Sequence, residues 1–185
     1  MRRIAAVMLM CLLFCGCTKT ESSVQRAVEF RAALVQAGGC RYQAEICADF
    51  GGTVECFTVR CDSRADGATE LVIESPESLA GIAATVTDKG GKITYDGMAV
   101  DFGLLADDTL APAAAPALLV SCWSSEYITC GGTEGEYYRA SYEKGFDESA
   151  VKIDTWFENH LPIYAEVCYN NTGILRFTIT EFEFY

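Results

Sequence analysis

The chain has 185 residues, with 26 acidic residues against 14 lysines and arginines, one histidine and a formal charge of −12. No cluster of Lys and Arg stands out in so acidic a chain, which excludes nucleic acid as a partner, because phosphate backbones are held by clustered cations. The length suits one domain with a sizeable core.

Met1 to Gly16 reads as a secretory leader: Arg2 and Arg3, an apolar run from Ile4 to Phe14, and a small residue before a cysteine. The run is shorter than the roughly 20 residues a membrane-spanning helix needs, so cleavage is expected. LLFCGC resembles the lipobox of bacterial lipoproteins, whose cysteine is acylated and becomes the new N-terminus. Cys11 would leave too short an apolar run and Cys15 follows bulky Phe14, whereas Cys17 follows Gly16. Cys17 is therefore the expected lipid attachment, which anchors the chain on the extracytoplasmic side of the cell membrane; the alternative is an ordinary secretory leader without lipid. Losing Arg2 and Arg3 leaves twelve basic residues and a charge of −14.

Residues 17–22 form a short polar tether, and 23–185 are expected to fold as a single domain. Val24, Ala27, Val28, Leu34 and Val35 recur at helical spacing between a capping Ser22 or Ser23 and the stop Gly38-Gly39, predicting a helix over Ser23 to Ala37. From Cys40 the period becomes two. YQAEICADF, Gly51-Gly52 and TVECFTVRC make a hairpin with Tyr42, Ala44, Ile46, Ala48, Phe50, Phe57, Val59 and Cys61 on its core face. TELVIES follows, broken at Ser75-Pro76-Glu77; then come IAATVT, KITY and MAVDF, the last two joined by Asp96-Gly97.

Ala106 to Pro116, containing APAAAP, reads as an internal linker. PALLVSCW predicts a short apolar helix over Ala117 to Ser124. Strand patterns resume with EYYRASY, AVKIDTWF, IYAEVCY and ILRFTITEFEF, for a total of roughly eight to ten strands and two helices.

Chemistry is sparse. His160 sits in the turn NHLP with no nucleophile motif near it, and spacing singles out no pair of carboxylates. Without CxxC spacing no zinc site is expected, DSRADG lacks the ligand pattern of a calcium loop, and no cofactor is implied. The Asn170 sequon reads as a hairpin loop, and no enzymatic activity is expected. Seven cysteines follow the leader: Cys40, Cys47, Cys56, Cys61, Cys122, Cys130 and Cys168. If Gly51-Gly52 is the turn, Cys47 and Cys56 are directly opposed on the outward face, a candidate disulfide. The alternative is a weakly oxidising envelope in which all seven stay reduced as small apolar fillers.

The stretch SPESLAGIAATVTDKGGKITYDGMAVDFG, through Pro76, Leu79, Gly81, Gly90, Gly91 and Tyr95, resembles small lipoproteins of Gram-positive type that look like the LolA-type lipoprotein carriers. The resemblance implies an α+β half-barrel: a curved antiparallel sheet with the N-terminal helix and a short second helix covering it. It also implies binding of a lipid or other apolar ligand, without catalysis. Leu118, Leu119 and Trp123, with Val120, are the candidates to line a cavity between helix and sheet. The other expectation is a tethered module with a filled core that contacts an envelope protein through outward aromatics such as Tyr137, Tyr138 and Trp156.

Overall fold

The computed structural model describes residues 22–49, 52–87, 89–103, 105–106, 109–145, 150–169 and 172–185. The leader, Cys17 and most of its tether, Phe50, Gly51 and the Asn170 sequon lie outside these residues.

Helix α1 spans Ser23–Ala37, and its ends follow the expected chemistry. The Ser22 hydroxyl accepts from the Gln25 N–H at 3.2 Å, and Gly38, at φ 84°, closes the helix by donating to Leu34 and Val35. Ala27, Phe30 and Leu34 form its buried stripe.

The strands are β1 (Gly39–Asp49), β2 (Val54–Arg64), β3 (Thr69–Ser75), β4 (Ala83–Thr87), β5 (Gly90–Tyr95), β6 (Met98–Phe102), β7 (Leu105–Ala106), β8 (Thr109–Leu110), β9 (Tyr127–Glu134), β10 (Tyr137–Lys144), β11 (Val151–Glu158), β12 (Leu161–Tyr169) and β13 (Thr172–Phe184). Eleven of them join in one antiparallel sheet, ordered β6-β5-β4-β3-β2-β1-β13-β12-β11-β10-β9, with β7 and β8 paired separately. Two meanders thus meet where the first strand pairs with the last. Register shifts at Gln43/Ala44, Thr58/Val59, Ser141/Tyr142, Trp156/Phe157 and Val167/Cys168 give the sheet local bends, and it curls without closing: β6 and β9 remain its two edges. This is the α+β half-barrel expected from the resemblance.

The topology explains the second helix. The chain must pass from β6, at one edge, to β9, at the other, and the connection runs over the concave face, where α2 (Ala115–Ser125) lies. Ten of its eleven residues are buried, as an all-round apolar helix requires. Each of Leu118, Leu119 and Val120 contributes about 1.5–3 kcal/mol by leaving water.

Three expectations are corrected here. The stretch from Ala106 to Pro116 is not a loose linker: Leu110, Ala111 and Ala114 to Pro116 are buried, and Pro112–Ala114 forms a 3-10 turn leading into α2. Small side chains let the backbone lie close to its neighbours, and Pro116 falls in the first helical turn, where its missing N–H costs nothing. Tyr127–Glu134 forms an additional strand, β9, whose alternation Gly131-Gly132 interrupts. Gly131 is needed there: a Cβ would lie 2.7 Å from the Ser23 Oγ and 2.9 Å from Val24, so α1 rests directly on the strand backbone. Finally, Tyr138 is 2% exposed and stacks on Phe157 with ring centroids 4.7 Å apart. As a neighbour of outward Tyr137 in a strand, it has to point inward.

Candidate functional site

The concave face begins as core. Tyr42, Ala44, Ile46 and Ala48 of β1 line up with Val59 and Cys61 of β2 and with Phe177 and Leu175 of β13, all buried. Above them the Trp123 ring meets Phe30 edge-on at 5.6 Å, with Tyr42 and Phe182 at 6.2 and 6.1 Å, and its indole N–H donates to the Thr155 hydroxyl at 2.9 Å. Arg31 of α1 donates to the Trp123, Cys122 and Glu126 carbonyls at the end of α2. Leu118, Leu119 and Trp123 are at most 1% exposed. The residues named from sequence as cavity candidates therefore sit together in packed interior, on a helix tied at its C-terminal end.

The same face is bare at the far edge. Strand register carries the inward side from Leu71 of β3 to Ala84 of β4, Ile93 of β5 and Val100 of β6, and along these last two strands to Tyr95, Met98 and Phe102. Tyr95, Met98 and Val100 are 51%, 66% and 65% exposed, while Ile93 and Phe102 are half-buried against the core. The opposite side of this ribbon carries Lys92, Thr94, Ala99 and Asp101, with Lys92 and Asp101 paired at 4.0 Å. The alternation is that of the covered strands, apolar inward and polar outward, but α2 does not reach across β5 and β6. This apolar wing is the candidate binding face. Its signal is present in the sequence as Ile93-x-Tyr95 and Met98-x-Val100-x-Phe102, which reads as ordinary core until topology places it beyond the helix.

On the convex face the sulfurs of Cys47 and Cys56 are bonded to each other across directly paired positions. The donor atoms of Glu45, Cys47 and Cys56 lie within 4.8 Å of one another, but the bonded sulfurs have no thiolate to offer a metal. Burial, which disfavours the thiolate, pushes the Cys40, Cys61 and Cys122 thiols up to about 12, so they stay protonated at neutral pH and are poor nucleophiles. His160 is exposed in its turn at φ 68°, with the Tyr138 ring 6.3 Å away. Outward Trp156 donates to Glu134 at 2.8 Å and lies beneath Arg139. Among the described residues no helix is long and apolar enough to cross a membrane.

No family model and no curated protein matches the sequence. Several solved structures are similar at low sequence identity. A LolA superfamily protein from Nitrosomonas europaea is 10% identical, with 89% of this chain and 94% of that one covered at a TM-score of 0.49. A DUF1329 family protein from Desulfovibrio piger is 7% identical over 88% and 93%, at 0.48. LprF from Mycobacterium bovis is 11% identical over 88% and 94%, at 0.37.

Proposed function

We propose that this chain is a non-enzymatic extracytoplasmic binding protein, anchored to the cell membrane by a lipid on Cys17. It holds a lipid or other apolar ligand against the concave side of β5 and β6. The observation that carries the reading is the exposure of Tyr95, Met98 and Val100 on the face that is core along the central strands β1, β13 and β11. Contiguous apolar surface of this kind, rimmed by polar residues, marks interaction sites on soluble proteins. The anchored position rests on the leader Met1 to Gly16 and the small residue before Cys17.

The filled interior favours a second reading, in which the apolar ligand is part of an envelope protein rather than a lipid; it uses the same wing. Native mass spectrometry of the full chain from its own host tests the site. A co-purifying apolar ligand is expected with the parent and is lost in the Met98→Glu/Val100→Glu variant, whose melting temperature is unchanged because both side chains are already in water. Retention of the ligand by that variant refutes the wing as the site.

A further inference from the structure

We infer that the wing's occupant is an extended polypeptide segment, alternating apolar and cationic residues, that adds to the free edge of β6 as a further strand. The inference rests on the wing being the binding face and names the chemistry of what binds there.

The first argument is the edge itself. Asp96 and Gly97, both at positive φ, make a two-residue turn between Tyr95 and Met98, and in such a hairpin the closing pair exchanges hydrogen bonds. Pairing then alternates along the ribbon. Met98, Val100 and Phe102 direct their main-chain groups to β5, whereas Ala99 and Asp101 direct theirs outward. Among the described residues β6 has no ladder neighbour except β5. An acyl chain offers nothing to these N–H and C=O groups; a peptide backbone satisfies them.

The second argument is that, among the described residues, this edge carries no bulge, proline, lysine or covering strand, Asp101 being its one charge. Natural sheets guard their edges with bulges, prolines, lysines or a covering element. At the opposite edge β9 has a register shift against β10 and lies under the start of α1 at Gly131. Strand β6 has an unbroken register with β5 over five pairs and contains neither proline nor lysine. An added strand would set its inward side chains beside Met98, Val100 and Phe102. This is strand addition with main-chain bonds for affinity and alternate side chains for selectivity.

The third argument is charge. The outward side of β6 presents Asp101, whose side chain is 85% exposed and shares its charge with Lys92 across the ribbon at 4.0 Å, and the adjoining turn presents exposed Asp96, so acids outnumber bases at this edge. The chain as a whole carries −12. Residues of the partner that fall between its apolar positions lie beside Asp101, where a lysine or arginine is favoured and an acid is repelled.

The test uses the full chain in zwitterionic nanodiscs and three fluorescent probes: a short peptide alternating Val or Phe with Lys, the same peptide N-methylated at its lysines, and a dansyl fatty acid. The parent peptide is expected to bind and the other two to bind much more weakly. Asp101→Lys removes the charge match. Ala99→Pro deletes an outward N–H while leaving the β5 pairing intact, as proline at a strand edge does. Each is expected to weaken the peptide by about tenfold or more, with the far-ultraviolet spectrum unchanged. Equal binding of the N-methylated peptide overturns strand addition. Binding of the fatty acid that Met98→Glu abolishes, with no peptide bound, overturns the polypeptide but leaves the wing as the site; binding of none of the three overturns both.

Discussion

Replacing Thr155 by valine tests whether α2 is a fixed part of the core. The substitution keeps the shape of the side chain and removes the hydroxyl that accepts from the Trp123 indole N–H, at a site where both residues have no exposure. The N–H is then buried without a partner, which costs about 1–3 kcal/mol. At roughly 2–4 °C per kcal/mol for a chain of this size, a loss of about 2 kcal/mol lowers the melting temperature by about 4–8 °C. Trp123→Phe alone is also destabilising, because the smaller ring leaves a void against Phe30, Tyr42 and Phe182. In the Thr155→Val background the same change also removes the orphaned N–H, so its added cost is smaller by about 1–3 kcal/mol. Urea unfolding of the four proteins gives the coupling directly. Strict additivity would refute the bond, and with it the fixed seating of α2.

Three further outcomes follow from the leader and from the thiols. Cys17→Ala should move the protein from the membrane to the soluble fraction; a variant as firmly bound as the parent refutes lipid anchoring there. Folding raises the Cys40, Cys61 and Cys122 thiols from 9.0 to about 12, so the stability they contribute is fully present below pH 9 and is lost as pH rises toward 12. Urea unfolding at pH 8 and at pH 10.5 reads this loss, and Cys122→Ala should show a smaller one. At pH 8 a thiol reagent should label exposed Cys130 in the native protein and reach these three only on unfolding; rapid labelling of Cys122 in the folded state contradicts its burial.

What could be read from sequence was local. Ser22 and Gly38 bound α1 because capping groups act within one turn, and Cys47 opposes Cys56 because the alternation on either side of Gly51-Gly52 admits one register. The α2 segment was recognised as too apolar for water, but its approach through Leu110 to Pro116 was not. Alanine and proline there signal poor packing in isolation, and only the crossing from β6 to β9 makes small residues the ones that fit. Strand β9 has a pattern set by contact with the start of α1 at Ser23 and Val24, more than a hundred residues before Gly131 in the chain.

The wing escaped for the opposite reason. Ile93, Tyr95, Met98, Val100 and Phe102 carry the inward pattern of any buried strand, and no local rule separates an apolar face that will be covered from one that will not. The separation comes from reach. Helix α2 has eleven residues and, at about 1.5 Å per residue, runs only about 16 Å. Neighbouring strands lie about 4.8 Å apart, so a helix of this length spans three or four strands of a flat sheet, and only the curl of this one lets it touch strands from both halves. Its approach contacts β4 and its body contacts β2, β4 and β10. On this side of the sheet the contacts of α2 and its approach extend to β4. The chain nevertheless continues through a tight Asp96-Gly97 hairpin, keeps the apolar alternation for two more strands, and places charge only on the outer side. Strands serving only to lengthen the sheet would be polar on both faces once past the helix. That β5 and β6 are not is the reason to regard their inner face as the surface of contact.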